Sequence, residues 1–314
     1  MMQIMRVHRR RLWGAGAIAI ALWTTFTTLS APATDALAEP TITVGAAFTP
    51  ARSTPSLLAL GTITLRPFLT LREPGEPGVI IAHRGDSSIA PENTMPAFMS
   101  TTNAGAKYFE IDLRLSKDGV PVILHDKTVD RTTNGAGAVA ELTIDDLRGL
   151  DAGSWFSHSF AETTVPTLDE ALAFAAVSGT NVVIEYKGAW GKTDISKTVA
   201  MINAAGLQGR VIAQSFNEKT VAHVSEVAPG LPVGWLTQKI NASIVATAQE
   251  IGADAVNPRH ATARSVALAH QARLAVFVWT HDTDADWEAL TSMGVDGIIT
   301  NRPEALHAWM RLRS

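Results

Sequence analysis

Glu110 and Asp112 stand two residues apart in the run YFEIDLRL (108 to 115). On a strand that spacing points both carboxylates to one face. A third, Glu185, lies near the end of NVVIEYK (181 to 187). Three carboxylates converging in a partly desolvated site repel one another unless a cation sits between them. The chain has no cysteine, so thiolate sites are excluded, and hard oxygen donors point to one Ca²⁺ or Mg²⁺ rather than zinc. The alternative is a set of exposed carboxylates paired with Arg114 or Lys187.

Two histidines end apolar runs close to these acids in the chain: His83 after VIIA (79 to 82) and His125 at the end of VPVILH (120 to 125). Two imidazoles in different surroundings are the usual equipment for a general base and a general acid near neutral pH. Other histidines, such as His158, His223 and His270, have no such setting. Arg84 and Lys187 add positive charge, and a guanidinium fork beside a divalent cation suits a pair of phosphate oxygens. Cation, guanidinium and two imidazoles together would clamp a phosphodiester and move protons on either side of phosphorus.

These groups need a scaffold. From residue 79 onward nine short β-branched runs alternate with Ala-rich amphipathic stretches such as 168 to 178, 242 to 251 and 262 to 272. Near-continuously apolar strands joined by helices imply a parallel sheet covered by helices. Only Ser116 to Gly119 separate the second and third runs, too few for a parallel crossover, so these two form an antiparallel hairpin with Lys117-Asp118-Gly119 in its turn. A turn centred between residues 118 and 119 would set Asp112 across from His125. Without the return strand eight βα units remain, the count of an α/β (β/α)8 TIM barrel, with residues 115 to 165 inserted after the second barrel strand. In such a barrel functional groups sit at the C-terminal strand ends. Those ends carry His83 and Arg84, Glu110 and Asp112, Glu185 and Lys187, and Gln214, with Trp235, Asn257, Trp279 and Asn301 farther on.

The N-terminal segment reads as a removable secretory signal. Arg6, Arg9, Arg10 and Arg11 precede a mostly apolar stretch over 12 to 29, and small-x-small sites follow at Ala31-Pro32-Ala33 and Ala36-Leu37-Ala38. We assign 1 to 38 to the signal, 39 to 77 to an extension that plugs the barrel floor or wanders, and 78 to 314 to the barrel domain. An uncleaved anchor is the alternative, since the stretch is near spanning length. Removing its four arginines and one aspartate from 26 basic and 30 acidic side chains leaves a formal charge of −7. That balance argues against general nucleic-acid binding. An exported protein with no stable membrane span after cleavage is expected.

Residues 78 to 310 resemble the glycerophosphodiester phosphodiesterases. The resemblance rests on HRG (83 to 85), PENT (91 to 94), E-x-D (110 to 112) followed by KDGVPV, HD (125 and 126), DRTTNG (130 to 135), PTLDE (166 to 170), E-Y-K (185 to 187) and VDGIITNRP (295 to 303). It implies a TIM barrel of the PLC-like phosphodiesterase type with a subdomain after its second strand. It also implies a divalent cation on Glu110, Asp112 and Glu185, a catalytic acid–base pair His83 and His125, and Arg84 and Lys187 near the phosphate; Trp279, at its strand end, is expected to bind substrate as well. Glu92, Asn93 and Gln214 are expected to support these groups, and Gly85 to let the backbone turn close to a ligand. Asn301 departs from the Asp common in the family, and because it lies beyond the metal cluster the expected effect is on the outer pocket.

The substrate implied is a small glycerophosphodiester, released as sn-glycerol 3-phosphate and an alcohol. Rival readings are a lysophospholipase D or sphingomyelinase D acting on lipid, and a non-catalytic surface protein that binds phosphodiesters. Trp155 and Phe156 in the insertion are expected to pack it onto the barrel rather than touch substrate. Residues 188 to 193 lack the glycine a Walker A loop needs at 186, where Tyr186 stands, and Asn241-Ala242-Ser243 matches a glycosylation sequon by composition alone.

Overall fold

The computed structural model describes residues 70–313. The expected signal segment and most of the extension lie outside the described residues. Eight parallel strands close into a barrel: β1 (Val79–Ala82), β2 (Tyr108–Leu115), β4 (Asn181–Tyr186), β5 (Val211–Ser215), β6 (Val233–Lys239), β7 (Ala255–His260), β8 (Ala275–Val278) and β9 (Gly297–Thr300). Each pairs with the next in chain order, and β1 pairs in parallel with both β9 and β2, which closes the ring. The ninth strand, β3 (Pro121–Ile123), adds to β2 in antiparallel fashion. It can do so because β2 is twice as long as β1: Tyr108 and Phe109 pair with β1, while Leu113 to Leu115 run on past the end of β1 and take β3.

The β2–β3 hairpin departs by one residue from the register expected. Its loop is the three residues Lys117-Asp118-Gly119, with Ser116 N donating to Val120 O at 3.0 Å and Gly119 at φ 78°. A three-residue loop ending in a left-handed glycine centres on its middle residue, not on a peptide bond. Leu124 therefore lies opposite Asp112, donating N–H to its carbonyl at 2.9 Å, and His125 falls one step beyond.

Helices α1 (Met95–Asn103), α3 (Leu168–Ser178), α4 (Lys192–Ala204), α5 (Glu218–Val227), α6 (Ala242–Glu250), α7 (Ala263–Gln271), α8 (Asp284–Met293) and α9 (Pro303–Arg311) cover the barrel, while α2 (Ile144–Arg148) belongs to the insertion. Their starts follow from capping chemistry. Thr167 and Glu170 exchange hydrogen bonds in a capping box at α3, and Asn217, Asn241 and Thr283 cap α5, α6 and α8. Among the described residues no helix is long and apolar enough to cross a membrane.

Two apolar layers result from strand alternation. Phe109, Ile111, Leu113, Val182 and Ile184 face outward and pack beneath the helices. Ile81, Tyr108, Val183, Ile212, Ala255, Phe277 and Ile299 fill the interior. Leu71 joins this inner cluster, and Arg72 N donates to Asp296 Oδ1 at 2.6 Å, so the last residues of the extension sit at the barrel floor. The insertion has a core of its own, built from Val122, Leu124, Val129, Val139, Leu147, Ala152 and Val165.

Candidate active site

Two residues on from each inward apolar residue comes a polar or aromatic one on the same face: His83 after Ile81, Glu110 after Tyr108, Glu185 after Val183, Gln214 after Ile212, Asn257 after Ala255, Trp279 after Phe277 and Asn301 after Ile299. The same alternation that packs the floor raises these side chains into the mouth. A cavity of ≈ 100 Å³ opens there, lined by His83, Arg84, Glu110, His125, Glu185, Lys187, Gln214, Phe216 and Trp279 among others. The substrate, catalytic and acidic residues expected from sequence thus converge on one space, with Asp112 buried directly beside it.

Oxygens of Glu110, Asp112 and Glu185 all lie within 4.8 Å of one another. Glu110 Oε1 is buried without a hydrogen-bond partner, and Asp112 Oδ1 has only the Lys187 ammonium at 3.3 Å. Burial, then the charges of Asp112 and Glu185, pushes Glu110 well above the usual carboxylate range, and burial with Asp112 pushes Glu185 up to about 7. Burial also works to raise Asp112, yet Lys187 and Arg84 outweigh it and hold that carboxyl low. Three oxygen donors that cannot all ionise alone, with an unsatisfied oxygen among them, fit a hard divalent cation. The alternative pairing is only half realised. Lys187 Nζ lies 2.7 Å from Glu185 and 3.3 Å from Asp112, but Arg114 turns away and donates from Nε and Nη2 to the His125 carbonyl at 3.0 and 2.5 Å. Arg114 thereby holds in place the histidine that the register leaves beyond the strand.

The loop after β1 is built around two left-handed residues that are not glycine, Arg84 at φ 58° and Asn93 at φ 57°. Strain of this kind persists only where contacts hold it. Here Arg84 N donates to Glu110 Oε2 at 2.9 Å, and Asn93 grips Asp112 twice, Nδ2 to Oδ2 at 2.7 Å and Asp112 N to Oδ1 at 3.2 Å. Gly85, also left-handed, is required for a different reason from the one expected. A Cβ there would stand 2.7 Å from the backbone of Ala97, so glycine lets the loop lie against α1 rather than against a ligand.

Glu92 accepts from Arg84 Nη1 at 2.7 Å and from both terminal nitrogens of Arg131. Gln214 lines the cavity, and its Oε1 accepts from Asn257 Nδ2 at 2.9 Å. The Trp279 indole N–H donates to Asn257 O at 2.8 Å, and its ring meets Phe216 edge to face at 5.3 Å. Trp155 and Phe156 are not among the residues that line the cavity; within the insertion Trp155 meets Phe156 edge to face, and Phe156 meets Phe160 in the same way.

The two histidines differ in their partners. His125 Nδ1 faces the Asp126 carboxylate at 2.6 Å, whereas His83 Nδ1 faces the neutral Asn301 amide oxygen at 2.7 Å. Burial and the Arg84 charge push His83 down to about 4; burial also lowers His125, against the opposing pull of Asp112. Asn301 is thus not an outer-pocket residue: its departure from Asp falls on the imidazole itself. Asp126 holds His125, Arg131 holds Asp126 and Glu92, and Asp282 holds Asn301; none of the three was expected at the site from the sequence. The first two stand inside the quoted HD and DRTTNG motifs, a signal that was present.

The family model for the glycerophosphoryl diester phosphodiesterase family matches residues 83–305. A glycerophosphodiester phosphodiesterase of Caldanaerobacter subterraneus is 38% identical over 232 residues, covering 73% of this chain and 96% of that protein. One from Bacillus subtilis is 33% identical over 248 residues, covering 72% and 84%. The crystal structure of a glycerophosphodiester phosphodiesterase from Agrobacterium tumefaciens is 28% identical with a TM-score of 0.64 over 74% of this chain and 99% of that one. An Oleispira antarctica phosphodiesterase in complex with the product sn-glycerol-3-phosphate is 26% identical with a TM-score of 0.66, covering 75% and 97%. Fold and site define a barrel phosphoric diester hydrolase. The chain belongs to the glycerophosphoryl diester phosphodiesterase family.

Proposed function

We propose that this protein is an exported, divalent-cation-dependent enzyme that hydrolyses glycerophosphodiesters to sn-glycerol 3-phosphate and an alcohol. The observation that carries the reading is the meeting of two imidazoles, Arg84, Lys187 and a buried acidic triad in one small cavity. Glu110, Asp112 and Glu185 would hold the cation, Ca²⁺ or Mg²⁺, which when bound supplies positive charge against the phosphate oxygens. Arg84 and Lys187, which lie beside the triad, add positive charge to orient and neutralise the same phosphate. The volume favours the compact glycerophosphate half of a diester. Export rests on the signal-like residues 1 to 38.

The different partners of the histidines support a division of labour. His83, with a neutral acceptor on Nδ1 and a depressed pKa, takes the proton of the glycerol 2-hydroxyl as that oxygen bonds to phosphorus. His125, with a carboxylate on Nδ1, carries a proton to the oxygen of the departing alcohol as its bond to phosphorus breaks. Water then opens the cyclic phosphate with the roles exchanged: His125 takes the water proton and His83 returns its own to the 2-oxygen. Purified enzyme incubated with glycerophosphocholine should yield glycerol 3-phosphate and choline, lose activity in EDTA, and regain it with Ca²⁺ or Mg²⁺. Full activity after exhaustive chelation would remove the cation from the mechanism, and preference for lysophosphatidylcholine would move the substrate to lipid.

A further inference from the structure

We propose that Asp282 and Asn301 act as a positioning pair that locks His83 in its Nδ1–H tautomer and offers Nε2 to the cavity as a proton acceptor. The inference rests on the reading of His83 as general base and adds how that base is prepared.

A side-chain amide has nearly the same shape either way round, so Asn301 alone does not decide which atom meets the imidazole. Asp282 decides it. Its carboxylate can only accept, and it accepts from Asn301 Nδ2 at 2.6 Å, from Asn301 N at 2.7 Å and from Thr300 Oγ1 at 2.8 Å. Arg302 Nη1 donates to the Asp282 carbonyl at 3.0 Å and steadies the same loop. With its NH₂ committed to Asp282, Asn301 turns Oδ1 to His83 Nδ1 at 2.7 Å, where Ser87 Oγ also approaches at 3.1 Å. An amide oxygen cannot donate, so the hydrogen on that bond belongs to Nδ1. Nε2 takes no hydrogen bond from the described residues and carries the lone pair.

The arrangement places the negative charge one side chain behind the imidazole. A carboxylate touching Nδ1 would stabilise the imidazolium; an amide orients the ring without that effect. Among the charged groups around His83, Arg84 opposes a proton on it and Asp112 and Glu92 favour one, against a background of burial, while Glu110, Glu185, Lys187 and His125 line the same cavity. Asp282 thus sets geometry through Asn301 while His83 stays neutral and ready to accept.

The test uses the full-length enzyme at saturating metal with glycerophosphocholine, and three variants: Asn301→Leu, Asn301→Asp, and the exchange Asp282→Asn with Asn301→Asp. Asn301→Leu should lower kcat by about 10²-fold with KM nearly unchanged. Asn301→Asp and the exchange should retain more turnover than Asn301→Leu and raise the acidic limb of the kcat/KM profile by about one pH unit or more, because a carboxylate then touches the ring. Nitrogen NMR of ¹⁵N-imidazole-labelled resting wild-type enzyme should show His83 protonated at Nδ1 and bare at Nε2. That spectrum needs no turnover and no variant to fold, so it separates failure of this inference from failure of the functional reading. A His83 protonated at Nε2, or an acidic limb unmoved both in Asn301→Asp and in the exchange, would overturn the pairing.

Discussion

The imidazole of His125 and the carboxylate of Asp126 meet at 2.6 Å, and the other Asp126 oxygen meets Arg131 Nε at the same distance. Arg131 reaches on to Glu92, and Glu92 holds Arg84. An unbroken chain of hydrogen bonds and ion pairs therefore joins the histidine proposed to protonate the leaving oxygen to the guanidinium proposed to grip the phosphate.

Arg131 is the keystone of that chain, and its fork is needed because it makes three directed bonds to two acids. Arg131→Leu should lower kcat by about tenfold or more, and Arg131→Lys should restore little of it, since an ammonium cannot reproduce the bidentate geometry. Steady-state kinetics of both variants beside wild type give the comparison.

The proposed division between the histidines can be read from the leaving group. His125→Ala should be severely slowed on glycerophosphocholine but much less on a glycerophosphodiester with a p-nitrophenyl leaving group, which needs no proton. His83→Ala should be slowed on both. Equal sensitivity of the two variants to the leaving group would reverse or dissolve the assignment.

Asn93 touches the triad without belonging to it, holding both the side chain and the backbone of Asp112. Loss of such a supporting contact costs about 10- to 100-fold in metal affinity. Asn93→Ala should show that loss in calorimetric titration with Ca²⁺ or Mg²⁺, while its folded content by circular dichroism stays close to wild type.

For pH, the sign follows from the direction of the shift. His83 is pushed down to about 4, so its neutral, proton-accepting form is present above that value and is lost as pH falls through it. With metal saturating, kcat/KM should show no acid-side loss near pH 6.5, where an ordinary histidine base would be protonated; such a loss would count against His83 as the base.

Gly85→Ala should destabilise the fold. The position is left-handed at φ 80°, and the added methyl would strike the Ala97 backbone at 2.7 Å. Strain and overpacking together predict a loss of about 2–4 kcal/mol, read as a lowered Tm.

The barrel was legible because its strands are near-continuously apolar and its helices read as Ala-rich amphipathic stretches between them; β1, β2 and α3 match their expected bounds. The triad was legible too, since a spacing of two on a strand fixes a face wherever the strand sits. The hairpin register was not, because it depends on whether the turn has an even or an odd number of residues, a matter of one glycine's φ. Nor was the role of Asn301, 218 residues from His83 in the chain; only closure of β9 onto β1 brings them together.

The alternation along the strands carries a further consequence. Floor and chemistry are written in the same two-residue beat, so inserting or deleting one residue within β1, β2 or β4 would turn a carboxylate or imidazole toward the helices and a Phe or Ile toward the substrate at once. Such a frame error would damage stability and activity together. Changes to this enzyme that preserve its fold should therefore collect as substitutions within strands and as length changes only in the loops between them.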